Sequence, residues 1–147
     1  MTEETRPFRL IYRSRSRIAA EERATVLADI FGVARSNNKQ AGVTGALLVT
    51  DNWFVQALEG DEPTVRRLYA QIREDARHDE VTEIESTEVD ARVFSRWAMA
   101  EVSKLGRADI PLHVRDGEIH AAAAEPVTRE QFAVLKTMRD TIGADSL

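Results

Sequence analysis

The chain is expected to fold as an α+β protein of the ferredoxin-like class: a βαββαββ sandwich with two helices on one sheet face and a C-terminal helical extension. Three observations predict it. Residues 8–14, 43–50 and 53–58 carry strand patterns, an amphipathic helix pattern lies between the first and the second, and a capped helix follows the third. Strand-like segments come next, and that order builds two layers, helices on a sheet.

The elements are justified in turn. Phe8, Leu10 and Tyr12 share one face of the first strand, because side chains alternate along a strand. In residues 20–36, Val26, Leu27, Ile30, Phe31, Val33 and Ala34 repeat at helical spacing. Asn37-Asn38 is expected to end that helix, since Asn tolerates the left-handed conformation. Asp51-Asn52 is a turn-prone pair that makes 43–50 and 53–58 a hairpin. Asp61 caps a second helix, Pro63 is tolerated in its first turn, and Val65, Leu68, Tyr69 and Ile72 form its buried stripe. Residues 82–90 read as a further strand with poor alternation, and pattern alone does not place the last one. Leu105 to Ile110 suits a short helix, and Ala121 to Ala124 suits helix or linker. Residues 129–142 give the clearest helix: Thr128 and Gln131 match a capping box, Phe132, Leu135, Met138 and Ile142 form an apolar stripe, and Gly143 follows as a stop.

Bulk properties narrow the function. The 147 residues suit one domain with a real core, at an ordinary 43% hydrophobic and 31% charged. No apolar run approaches the roughly 20 residues of a membrane helix, and the N-terminus lacks a signal-peptide core, so a cytoplasmic protein with no membrane partner is expected. There are no cysteines, which excludes disulfides, thiolate metal sites and a covalent cysteinyl adduct. His78, His113 and His120 are scattered and make no metal-ligand pattern. A net charge of −5 argues against nucleic acid. The run from Arg13 to Arg17 reads as a solvated loop balanced by Glu21 and Glu22, with contact to an anionic ligand as the sharper alternative.

Gln56 is the informative residue. It sits between Phe54 and Leu58 on one face of an apolar strand, opposite in direction to Trp53, Val55 and Ala57. An unpaired buried amide costs about 1–3 kcal/mol, so partners should be waiting for its carbonyl and its N–H groups.

Five pieces occur in order with compatible spacing. They are Leu10-Ile11-Tyr12-Arg13-Ser14, Asn37-Asn38 leading into Gly42-Val43-Thr44-Gly45-Ala46-Leu47-Leu48, Phe54-x-Gln56-x-Leu58-Glu59-Gly60, Ile72-x-x-Asp75-x-Arg77-His78, and Phe94-x-x-Trp97-x-Met99. Together they resemble the BLUF family, blue-light sensors that use flavin. The likeness covers residues 8–102 and supplies the last strand, 96–102. It implies a flavin-binding photosensor domain over 1–102 and a C-terminal helical extension over 103–147, as in short single-domain members whose output goes through a separate partner.

The resemblance also implies roles. Tyr12 matches the electron and proton donor, and Gln56 the amide that switches its hydrogen bonds. Asn38 matches the residue holding the flavin's polar edge, with Asn37 beside it. Ile30 and Ile72 match the aliphatic clamps of the ring, and Asp75, Arg77 and His78 a segment near the ribityl-phosphate part. Arginine suits a pyrophosphate because it binds bidentately, and Lys39 is placed to assist from the other side. Trp97 and Met99, two apart, face one side if their strand is regular, which leaves open which of them lies next to Gln56. Ser14 shares Tyr12's face and is in reach of the site. Taken one at a time, each of these is equally a core, cap or turn residue.

The expected function is therefore a non-enzymatic blue-light photoreceptor binding FAD noncovalently, with FMN or riboflavin as alternatives. An unidentified downstream protein is the expected partner and a homo-oligomer, dimer or larger, is expected, with an exposed stripe on residues 132–142 as the contact to the partner or to a second subunit. Two other readings stand beside it. One is a small acylphosphatase-like hydrolase using Arg13, Arg15 and Asn38, which leaves Gln56, Trp97 and Met99 unexplained and lacks a Gly-rich phosphate loop. The other is an interaction module that keeps the fold without flavin.

Overall fold

Alternating apolar residues on the central strands bury both faces of one sheet, and this sets the architecture. The computed structural model describes residues 6–103, 109–115, 118–121 and 128–142. The strands are β1 (Phe8–Ser16), β2 (Thr44–Val49), β3 (Trp53–Gly60), β4 (His78–Glu88), β5 (Ala100–Ser103), β6 (Ile110–Arg115) and β7 (Glu118–Ala121); the helices are α1 (Arg23–Ala41), α2 (Glu62–Arg73) and α3 (Arg129–Asp140). The sheet order is β4-β1-β3-β2-β5-β6-β7. β1, β3, β4 and β2 pair antiparallel, while β5 joins β2 in parallel. This is the expected ferredoxin-like sandwich.

One face packs against α1 and α2 through Leu10, Tyr12, Leu47, Phe54 and Leu58, with Phe31 from α1 and Val65 and Tyr69 from α2. The other packs against α3 through Ile11, Ala46, Leu48, Val55 and Ala57, which meet Val134, Leu135 and Met138. The period of two sends neighbouring residues to opposite cores.

Capping chemistry explains several boundaries. Asp61 accepts the Thr64 N–H at the start of α2. Thr128 and Gln131 form a reciprocal capping box on α3. Helix α1 does not stop at Asn37-Asn38. It runs on to Ala41 because Gly42 (φ 71°) takes the left-handed position that Asn was expected to fill. Gly45 is required for a different reason: a Cβ there would lie 2.0 Å from the Ala57 carbonyl oxygen.

Other boundaries also differ from the sequence reading. The arginine run is not a loop, because β1 extends through Ser16, and Arg17 pairs with Asp79 and Glu80 rather than with Glu21 or Glu22. β4 begins at His78, four residues early, so His78 opens a strand instead of closing a helix. β5 begins only at Ala100, and residues 93–99 form an irregular approach to it. The extension contains the expected helix α3 and, in addition, the antiparallel pair β6–β7, which continues the sheet beyond β5. Ile110 thus starts a strand and Ala121 ends one; residues 105–108 of the expected helix, Ala122 to Ala124 and Gly143 lie outside the described residues, and Asp109 is not helical. The stripe on α3 is not a free surface either. Leu135 and Met138 are buried against the sheet, which leaves Phe132 exposed. Among the described residues, no helix is long and apolar enough to cross a membrane and no cluster of side chains suits a metal ion.

Candidate functional site

A cavity of about 210 Å³ opens between α1, α2 and the sheet. Its walls carry Tyr12, Ile30, Asn37, Asn38, Gln56, Ile72, Asp75, Arg77 and His78, nine of the positions singled out in the sequence. Val33, Ala34, Leu47, Phe54, Leu68 and Gln71 line it as well and were not anticipated as site residues. Most of these are ordinary apolar core residues by pattern, so only their position beside the cavity distinguishes them.

Strand register builds the centre. Tyr12 on β1 stands directly opposite Gln56 on the neighbouring β3, with Leu47 on Gln56's other flank. The Tyr12 hydroxyl donates to Gln56 Oε1, and Gln56 Nε2 donates to Met99 Sδ at 3.4 Å. Both residues are buried, so the strand-centre amide has found the partners it requires. Burial pushes the Tyr12 phenol far above its ordinary pKa, and Tyr69 and Asp75 add to the rise. Tyr12 therefore keeps its proton at neutral pH.

A second chain of hydrogen bonds runs beside the first. His78 Nε2 lies 2.7 Å from the Ile72 carbonyl oxygen, which can only accept, so this nitrogen carries hydrogen. In the neutral ring, Nδ1 then accepts from Ser14 Oγ at 2.6 Å. Ser14 thus contacts His78 and does not line the cavity itself.

At the mouth, Arg77 holds Asp75 through Nε and Nη2 and reaches Asp29 on α1 at 3.1 Å. The Arg77 guanidinium holds the Asp75 carboxyl below the usual carboxylate range, and the same hydrogen bond raises Arg77. Asn38, buried in the last turn of α1, donates to the Ala98 carbonyl at 2.9 Å. Lys39 is exposed and lies off the cavity wall.

Trp97 and Met99 do not share a face. Their segment is irregular, so the period of two does not apply. Met99 is 1% exposed in the core of the cavity side, whereas Trp97 packs against the α3 side. Glu59 is fully buried, accepting from Val93 N–H at 2.6 Å, Phe94 N–H at 2.9 Å and the Thr44 hydroxyl at 3.0 Å. Arg13 and Arg15 both stack on Trp53, and Arg13 Nη1 donates to the Thr141 carbonyl beyond α3, away from Asn38.

The chemistry of this cavity suits a flat heteroaromatic ring with a polar edge and an anionic tail. Ile30 and Ile72 come from the two enclosing helices, the amides of Gln56 and Asn38 lie within, and Arg77 stands at the mouth. A family model described as "Sensors of blue-light using FAD" matches residues 8–100. The chain belongs to that family, BLUF, whose cofactor is FAD.

Its relatives include the photoactivated adenylate cyclase subunit alpha of Euglena gracilis, 35% identical over 68% of this chain and 10% of that protein. The blue light- and temperature-regulated antirepressor BluF of Escherichia coli (strain K12) is 34% identical over 84% of this chain and 28% of that protein. The chain therefore spans a minor part of both. Among solved structures, BlsA in its ground state is 34% identical with a TM-score of 0.64, covering 67% of this chain and 66% of that one. BlrB in its dark state is 33% identical with a TM-score of 0.64, covering 67% and 74%.

Proposed function

We propose that this chain is a blue-light photoreceptor that signals without catalytic turnover, through residues 93–103 and the C-terminal extension, to a separate protein or a second copy of itself. The Tyr12–Gln56–Met99 chain of hydrogen bonds on the cavity wall carries this reading. FAD bound there supplies absorption of blue light and an excited ring able to accept an electron. Ile30 and Ile72 would hold the ring between the helices, Gln56 and Asn38 with Asn37 beside it would meet its polar edge, and Arg77 would take the phosphate end.

Tyr12 is the electron donor. Its phenolic proton leaves toward Gln56, whose Oε1 accepts from it. The electron and proton then return to Tyr12 with the Gln56 amide rearranged. A reversed amide turns Nε2 toward Tyr12 and Oε1 toward Met99, so the bond to the sulfur is lost and Met99 repacks. Thioether side chains repack readily. This is a population shift in a bistable element rather than turnover. Phe132, exposed on α3, offers an apolar contact to a partner.

The test is an absorption spectrum of the purified chain before and after blue light. A flavin spectrum that moves to the red and relaxes in darkness is the expected result. Flavin that binds and does not shift would mean the Tyr12–Gln56 pair is not the switch. The acylphosphatase-like alternative loses its support, because Arg13 and Arg15 do not converge with Asn38.

A further inference from the structure

We propose that Arg35 and Asp109 form an output latch, an ion pair that ties the backbone of Met99 to the start of β6; this rests on the photoreceptor reading above. Arg35 lies on α1, one turn before Asn38, and its guanidinium is set over the Phe31 ring at 5.0 Å. From there Nε donates to the Met99 carbonyl at 3.1 Å, and Nη2 donates to Asp109 Oδ2 at 2.9 Å. The same carboxylate oxygen accepts the Glu101 N–H at 2.8 Å. One oxygen therefore joins α1, β5 and the residue that precedes β6.

Met99 is the point where switch and latch meet. Its sulfur accepts from Gln56 and its carbonyl accepts from Arg35. When the Gln56 amide turns its oxygen toward the sulfur, two acceptors face each other and the side chain must withdraw. The neighbouring carbonyls are held independently, Ala98 by Asn38 and Trp97 by the Gly45 N–H. Motion at Met99 is thus passed to Arg35, and through it to Asp109. The pair is only partly covered, Arg35 at 46% and Asp109 at 33% side-chain exposure. A half-exposed ion pair contributes little stability, which suits a contact that must open and close. β6 pairs with β5 at Val102 and Ile110, so loosening this corner reaches the extension.

Hydrogen exchange of the full flavin-loaded chain, in darkness and under blue light, tests the latch in the wild type, Asp109→Asn and Arg35→Gln. The absorption shift is recorded on the same samples. All three should give the red shift, because neither residue touches Tyr12 or Gln56. In the wild type, amides of 110–115 and 128–142 should exchange at least about threefold faster in light. In the variants, darkness and light should give equal exchange there. Arg35→Lys, which keeps the charge, should restore part of the difference. If Arg35→Gln destabilises α1, Asp109→Asn decides, since it removes the charge of the ion pair while its amide oxygen can still accept from Glu101. A full light–dark difference in Asp109→Asn overturns the latch while leaving the photoreceptor reading intact. A wild type that shifts without any exchange difference also overturns the latch. A wild type that never shifts overturns the photoreceptor reading, and the latch with it.

Discussion

Tyr12 and Gln56 face each other because β1 and β3 pair in one register, and most of the proposed chemistry follows from that pairing. Removing the phenolic hydroxyl deletes both the donor and one hydrogen bond while preserving shape. Tyr12→Phe should bind flavin normally and give no red shift on illumination; a surviving shift would assign the donor elsewhere. Gln56→Leu removes the bridge itself and should likewise keep flavin and lose the shift, which difference spectra would show. Alkali provides an independent check on Tyr12. Its folded pKa is raised, so the stability that it contributes is complete below the ordinary tyrosine pKa of about 10 and is lost as pH rises above it. Urea unfolding of the flavin-free chain at pH 8 and near pH 11 should therefore show a smaller alkaline loss in Tyr12→Phe than in the wild type. Equal losses would mean that Tyr12 is not the buried phenol described.

At the scale of elements, residues 93–99 are irregular yet pinned along their length. Glu59 holds the Val93 and Phe94 N–H groups, Gln131 on α3 donates to the Val93 carbonyl at 2.8 Å, and Gly45 holds Trp97. Glu59→Ala leaves buried donors without an acceptor and should lower unfolding stability by about 2–4 kcal/mol, measured by denaturant titration. A loss below about 1 kcal/mol would mean that water replaces the carboxylate there.

This segment is also where sequence reasoning met its limit. Alternation placed Tyr12, Gln56 and the apolar faces of β3 correctly, because those strands are regular. It failed for Trp97 and Met99, because β5 begins one residue after Met99. The helix-end reading failed at Asn38, because the glycine four residues later is the better left-handed cap. Arg35 and Asp109 are 74 positions apart, and no local pattern links them. Pro111 and the short runs around it gave no strand signal for β6 and β7.

For the whole molecule, the sheet needs cover on both faces. Val134, Leu135 and Met138 of α3 are buried against it. Burial of three such side chains contributes about 5–9 kcal/mol, comparable with the entire stability of many domains. A chain ending at Ser103 should therefore lose its cooperative thermal transition and bind a hydrophobic dye. Retention of a sharp transition would show that α3 is a detachable appendage. The resemblance made the photosensor legible from residues 8–102, but it carried no information about how the extension closes the second face.

The opposite placement of Trp97 and Met99 has an optical consequence. Two residues that straddle the sheet give the chain a native fluorophore on the side away from the flavin cavity. With Trp53→Phe, which removes the other indole, emission would come from Trp97 alone. Its wavelength should then move in step with the red shift of the flavin, and follow it back in the dark, with no label attached. An emission band indifferent to light would mean that whatever happens at Met99 stops at the sheet.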